Sequence, residues 1–276
     1  MFQPAIPLSG IGGWQFLQST YTRQLESFTE SPQVRNDRDY MLDKFSSSVS
    51  VEDFLKDKRL VRITMTAFGL SGEEWKTGFI RKALEEVADP ESTFLPRLNN
   101  TKYTEFAETL FPIDGKILLS SNQRAKVAVN YEAQSFQSAV GEVDDTMRLA
   151  LNYQSEISKI TGTESSDKTI LYRILGDVPT RTVMETAFNL PDGISNLDLD
   201  RQADILKERI TSVLGISDMS DLSTPAATEK MIQRYLAMDT IENGSTSYSS
   251  ASAALTLLGG GIGSQGSENL FLSLLS

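Results

Sequence analysis

The chain has 276 residues, a net charge of −11, 39% apolar and 23% charged residues, a length that can bury a sizeable core in one large domain or two modest ones. It holds no cysteine and no histidine, which excludes disulfides, Cys/His zinc sites, thiol nucleophiles and Ser-His-Asp chemistry. The acidic balance disfavours nucleic acid and anionic membrane surfaces as partners, and no apolar run approaches the ~18 residues of a membrane span.

The opening MFQPAIPLSGIGGWQFLQ has neither a basic start nor a sustained apolar stretch, so no cleaved secretory signal is expected. After this glycine- and proline-rich start, Trp14, Leu17, Tyr21, Leu25 and Phe28 recur at steps of three and four, the mark of one helix face. Pro32 is expected to end that helix, and a second is expected from Arg38 to Phe45. Ser50 with Asp53 forms a capping-box-like pair before Phe54 and Leu55, and a further helix is expected from Arg59 to Phe68. Ser71 with Glu74 reads as another capping box, opening a helix through Trp75, Phe79, Ile80, Ala83 and Leu84. NTKYTEFAETLF gives a short helix stopped at Pro112.

The strongest periodicity lies mid-chain. Val129, Ala133, Phe136, Val140, Val143, Met147, Ala150 and Ile157 follow alternating steps of four and three, with Gln154 interrupting. That pattern predicts one helix from about residue 123 to 160, roughly 57 Å long. Two uses of its seam are open: packing between two halves of the molecule, or self-association as a coiled coil.

Flanking it, LVRITMTAFGL (60–70) and TRTVMETAFNL (180–190) share Thr-Ala-Phe-x-Leu at an offset of 120. The likeness extends from Val51, Phe54, Leu55 and Asp57 onto Leu171, Ile174, Leu175 and Asp177. At an offset of 126, FIRKALEEV (79–87) falls on ILKERITSV (205–213), and Phe106 and Leu110 fall on Ile232 and Leu236. Phe68 and Phe188 are expected to be core anchors. Thr224 with Pro225 marks the start of the last helix.

The expected fold is mainly α: two similar helical halves joined by a long central helix. Its segments are an N-terminal half with the first copy (1–115), the central helix (116–165), the second copy (166–239) and a Ser/Gly-rich tail (240–276). The tail ends in the apolar cluster Leu270, Phe271, Leu272, Leu274 and Leu275.

Carboxylates are the only acid–base currency left to an enzyme. Asp198 and Asp200 alternate and could face one cation, but Asp200 stands where a helix N-cap is expected. Glu73, Glu74, Glu85, Glu86 and Asp89 could supply a glycosidase pair, yet their positions fit a helix start and a solvated face. LGGGIGSQG lacks the strand, lysine and helix of a phosphate-binding loop, so it reads as linker. No cofactor or metal is expected.

VSVEDFLKDKRLVRITMTAFGL, FIRKALEEVADPESTFLPRLNNTKY and MRLALNYQ resemble an uncharacterised bacterial family, a domain of unknown function often encoded among flagellar genes of alphaproteobacteria. The resemblance brings no catalytic residues. It implies a non-enzymatic flagellar structural or assembly protein whose partners are other proteins, flagellar components first. The location it implies is the bacterial cytoplasm, or the flagellum after export without a cleaved signal. The contact residues expected from the seam and the tail are Phe136, Val140, Val143, Met147, Leu270, Phe271 and Leu274. The alternatives are a carboxylate-dependent glycan hydrolase and a cytoplasmic helical scaffold or export chaperone.

Overall fold

The computed structural model describes residues 2–87, 89, 91–162 and 166–243. Helix α1 (Gly10–Thr29) buries Trp14, Leu17 and Phe28 on the face that the spacing assigns to it. It ends before Pro32, which stands at the first position of α2 (Pro32–Lys44), where a missing N–H costs nothing. Strand β1 (Val49–Ser50) leads into α3 (Val51–Lys56) and α4 (Lys58–Ala67). Next come α5 (Thr77–Glu86), α6 (Phe94–Leu98) and α7 (Thr101–Thr109). The hairpin β2 (Pro112–Ile113) and β3 (Lys116–Ile117) follows, then α8 (Ser121–Gly141) and α9 (Asp145–Thr161). The chain closes with α10 (Asp167–Gly176), α11 (Val178–Phe188), α12 (Leu199–Leu214) and α13 (Pro225–Asn243). The fold is mainly α, and among the described residues one small sheet has the antiparallel order β1-β3-β2.

The described residues up to Asp239 cluster as one compact unit, and residues 240–243 continue α13. The remaining tail, with Leu270, Phe271 and Leu274, lies outside the described residues.

The single central helix does not form. Val140 O accepts from the N–H of Val143 and of Asp144, the chain turns, and Asp144 caps α9 by accepting from the N–H of Met147 at 3.1 Å. Helices α8 and α9 fold back on each other: Gln137 donates to Ser155 Oγ across the pair at 3.4 Å. Eighteen residues in one straight helix would separate those groups by ~27 Å. At the turn, a Cβ on Gly141 would sit 2.5 Å from Arg148 Cδ, so the Arg148 side chain packs over the bare glycine. The apolar steps of three and four run on through the corner, so periodicity alone does not register it.

The resulting αα-hairpin organises the fold. Helix α4 packs on α8 and α11 packs on α9, so each repeat copy lays its second helix on one arm of the hairpin. The copies match in detail. Asp57 caps α4 by accepting from the N–H of Leu60, and Asp177 caps α11 by accepting from the N–H of Thr180. Each helix ends in a left-handed residue, Gly69 (φ 67°) or Asn189 (φ 48°). Beyond it, the N–H of Leu70 bonds Met65 O and the N–H of Leu190 bonds Glu185 O, both at 2.9 Å. Phe68 and Phe188 are both core residues, as expected from sequence.

Two local expectations are corrected. The Ser71/Glu74 box does not form: Glu74 accepts from the N–H of Gly72, residues 71–76 are turns and loop, and α5 opens at Thr77. Trp75 consequently stands outside the helix, 76% exposed. In the second copy Asp198, not Asp200, is the cap, accepting from the N–H of Arg201 at 2.9 Å.

Candidate functional site

The seam residues proposed for contact separate into two groups. Phe136, Val140 and Met147 are fully buried. Phe136 takes edge-on contacts from Tyr21 and Phe28 of α1, with ring centroids 5.4 and 5.5 Å apart. These three therefore serve the core and present no surface for self-association. Val143 faces solvent at the helical corner, and Val129 of the same seam is 62% exposed. The seam is thus divided between core positions and exposed ones rather than forming one continuous contact line.

The carboxylate candidates are committed to other partners. Glu73 pairs with Lys76 at 2.9 Å and accepts from Tyr103. Glu85 and Glu86 pair with Arg81 and Lys82 at 3.8 and 3.6 Å. Lys168 at 2.7 Å, with Tyr172, holds the exposed Asp200 carboxyl below its ordinary pKa. Among the described residues no group of three or more acids could hold a metal ion.

A cavity of about 930 Å³ is a polar cleft bordered by Glu86, Asp89, Glu105, Glu108, Lys126 and Lys159, among other residues. A relay of charges crosses it: Glu105 reaches Lys126 at 3.3 Å and Lys159 at 3.4 Å, and Lys159 reaches the buried Glu156 at 3.2 Å. Burial works against the Lys159 ammonium, yet Glu156 and Glu105 together raise its pKa above the usual lysine value. The carboxylates shifted from their ordinary values, Asp37, Glu52, Asp57, Glu73, Asp200 and Asp218, all lie below them. A glycosidase general acid needs the opposite.

The feature that sequence reading missed is the β2–β3 hairpin. Asp114 and Gly115 have φ of 49° and 71°, the two positive values of a type I′ turn, whose twist suits a two-residue hairpin. Register pairs Ile113 with Lys116 and Pro112 with Ile117. Side chains alternate across a strand, so Pro112, Ile117 and Leu119 face inward and are buried, while Phe111, Ile113, Lys116 and Leu118 share the outer face. Phe111, Ile113 and Leu118 are 44%, 66% and 62% exposed. Three large apolar residues grouped on one outer face are a stronger sign of contact than scattered ones. The Asp-Gly pair between Ile113 and Lys116 is the signal that could have revealed this hairpin.

Beside the sheet lies a shallow groove of about 520 Å³ between α2 and α8, bordered by Arg38, Leu42, Ser46, Arg124, Ala125 and Val129, among others. It adjoins the hairpin through the chain itself. Leu118 precedes Ser121, another groove residue, by three positions, and continuing the β1–β3 register one step sets Ser48 opposite Leu118.

No curated protein matches the chain. A family model described as a protein of unknown function, DUF1217, matches residues 67–228, more than half of the sequence, and the chain belongs to that family. The fold also resembles a crystal structure of a protein from Agrobacterium tumefaciens solved by a structural genomics consortium. That likeness has a TM-score of 0.67 and 25% identity, and covers 87% of this chain and 99% of the other.

Proposed function

We propose that this chain is a non-enzymatic structural or assembly protein that works through protein–protein contacts, and that those contacts serve the flagellum. The outer face of the hairpin carries the contact reading: Phe111, Ile113 and Leu118 are exposed on a sheet whose other face buries Pro112, Ile117 and Leu119. Exposed apolar clusters of this kind favour association, since removing each such side chain from water contributes about 1.5–3 kcal/mol when burial is complete. The flagellar setting is supported by the sequence resemblance of the 49–70, 79–103 and 147–154 blocks. The hairpin takes the place of the buried seam residues Phe136, Val140 and Met147 in this reading, while Leu270, Phe271 and Leu274 lie outside the described residues.

The test is the triple variant F111S/I113S/L118S in cells of the native host. Its thermal unfolding should stay close to the parent's, because exposed positions change stability by only about ±0.5 kcal/mol each. Swimming should fall, and proteins that co-purify with the parent chain should be lost. A folded variant that supports normal swimming and retains the same co-purifying proteins would overturn the proposal.

A further inference from the structure

Residues 2–8 form neither helix nor strand, yet every second one is held. Pro4 is buried and Phe2, Ile6 and Leu8 are half-buried, whereas Gln3, Ala5, Pro7 and Ser9 are exposed. Burial that alternates in this way belongs to extended chain. Three contacts give the course of this strap. Leu8 O passes so close to Gly13 that a Cβ there would sit 2.0 Å from it, Ala5 meets Gln24, and Phe2 lies edge-on to Phe28 at 5.8 Å. The strap therefore runs back along α1, antiparallel to it. Extended chain from Phe2 to Leu8 covers ~20 Å and the helix from Gly13 to Phe28 covers ~22 Å, so the two lengths agree.

The seat is built around its strap. Gln24 is buried, and its Oε1 accepts from the N–H of Ala5 at 2.7 Å while its Nε2 donates to Ala5 O at 3.2 Å and to Thr20 Oγ1 at 2.8 Å. The two bonds to Ala5 copy one rung of a β ladder and hold main chain, with the alternate side chains seated to either side. Emptying the seat would give up that clamp and return the apolar faces of Phe2, Pro4, Ile6 and Leu8 to water. The joint to α1 is slight by comparison. Gly10 stands at the reversal with φ of 61°, a left-handed conformation open to glycine, and Ser9 before it makes no side-chain cap. The strap's other end is open: Phe2 borders a cavity of about 570 Å³.

We infer that residues 2–8 are an exchangeable strap and that the partner on this seat is a second copy of the chain: two molecules open at Gly10, and each lays its strap along the other's α1. The structure itself specifies the occupant, because the segment seen on the seat is one that every copy carries. Reciprocal exchange leaves both seats filled, re-forms each strap contact of the single chain and closes at two copies. The exchange is independent of the hairpin face.

The test uses the full chain, which has no cysteine of its own. A Cβ on Gly12 would lie 3.7 Å from Leu8 Cδ1, so L8C and G12C bring thiols together across the seat. Neither variant can close that bridge within one molecule. Mixed at high concentration under mild oxidation, the two should give a covalent heterodimer in clear excess over the homodimers each gives alone. Light scattering on the parent should show a dimer that grows with concentration. G10V should raise its association constant roughly a hundredfold, about tenfold for each left-handed turn released, since a β-branched residue resists that turn. F111S/I113S/L118S should leave this dimer in place. Parent and G10V chains that both stay monomeric, a dimer indifferent to a folded G10V, or a mixture with no heterodimer above background would each overturn the inference. So would a dimer dissolved by F111S/I113S/L118S, since self-association would then belong to the hairpin. The crosslink leaves Gly10 unchanged, so it decides the question even where G10V does not fold.

Discussion

The two repeat copies share caps, helix ends and apolar positions, yet they are held down differently. In the first copy α4 is riveted by charge: Asp37 of α2 accepts from Arg59 at 2.8 Å, from Arg62 at 2.7 Å and from Tyr131 at 2.9 Å. At the corresponding positions the second copy has Pro179 and Thr182, and α11 is tied instead through its cap, Asp177, which pairs with Lys102 of α7 at 2.5 Å. The cores differ as well. Phe54 and Phe106 in the first copy correspond to Ile174 and Ile232 in the second, all fully buried. Phe54, Phe68 and Phe106 form an aromatic cluster, with Phe68 edge-on to Phe106 at 5.6 Å. One backbone plan therefore accepts a version pinned by a carboxylate from α2 over an aromatic cluster and one pinned at its helix cap over a more aliphatic core. The hairpin belongs to the first half.

The largest test of this contrast is truncation of the two anchors. Phe68→Ala and Phe188→Ala should each cost ~3–5 kcal/mol in urea unfolding, with Phe68 the costlier by ~1 kcal/mol for its lost ring pair. A costlier Phe188 would break the contrast between the two cores.

The charge rivet should show next, and only in acid. Burial opposes the Asp37 carboxylate, but Arg62, Arg59 and Tyr131 together outweigh that and leave its pKa below the ordinary value. A carboxylate lowered on folding stabilises the protein above its unfolded pKa of about 3.9, and that contribution drains away as pH falls through the folded value. Asp37→Asn should therefore lower the melting temperature at neutral pH and flatten its decline below about pH 4. An unchanged acid limb in melting scans would show that the rivet contributes nothing.

The smallest effect tests the shared helix ends. Gly69→Ala puts a Cβ on a left-handed residue and should cost ~1–2 kcal/mol, whereas Gly69→Asn, which copies the second half, should cost less. Equal losses from the two substitutions would mean that the ends are not equivalent.

Most helices were legible because their signals are local. Ser50 does bond the N–H of Asp53, Asp177 does stand before a helix, and Thr224-Pro225 does open α13. Errors arose where a local signal had two uses. Glu74 could close a capping box or hold a turn, and it holds the turn. Asp200 reads as the cap in the sequence, and the backbone places the cap two residues earlier, at Asp198. The corner at 142–144 was masked by apolar spacing that continues across it, although Gly141 and the Asp144-Asp145 pair mark it in retrospect. The candidate contact face was illegible for a different reason. Its strands are two residues long, too short for alternation to stand out, and exposure of Ile113 and Leu118 is a property of tertiary packing.

Pro112 has a consequence for how such a molecule survives crowding. A greasy hairpin on an open rim is ordinarily a seed for fibrils, because each added chain can zip its main chain onto the last. Here the rim lacks the donor that would start the zipper, so growth in that direction is barred while the broad side stays available. The same ring that breaks the ladder lets the protein keep a sticky surface without polymerising on itself through its backbone.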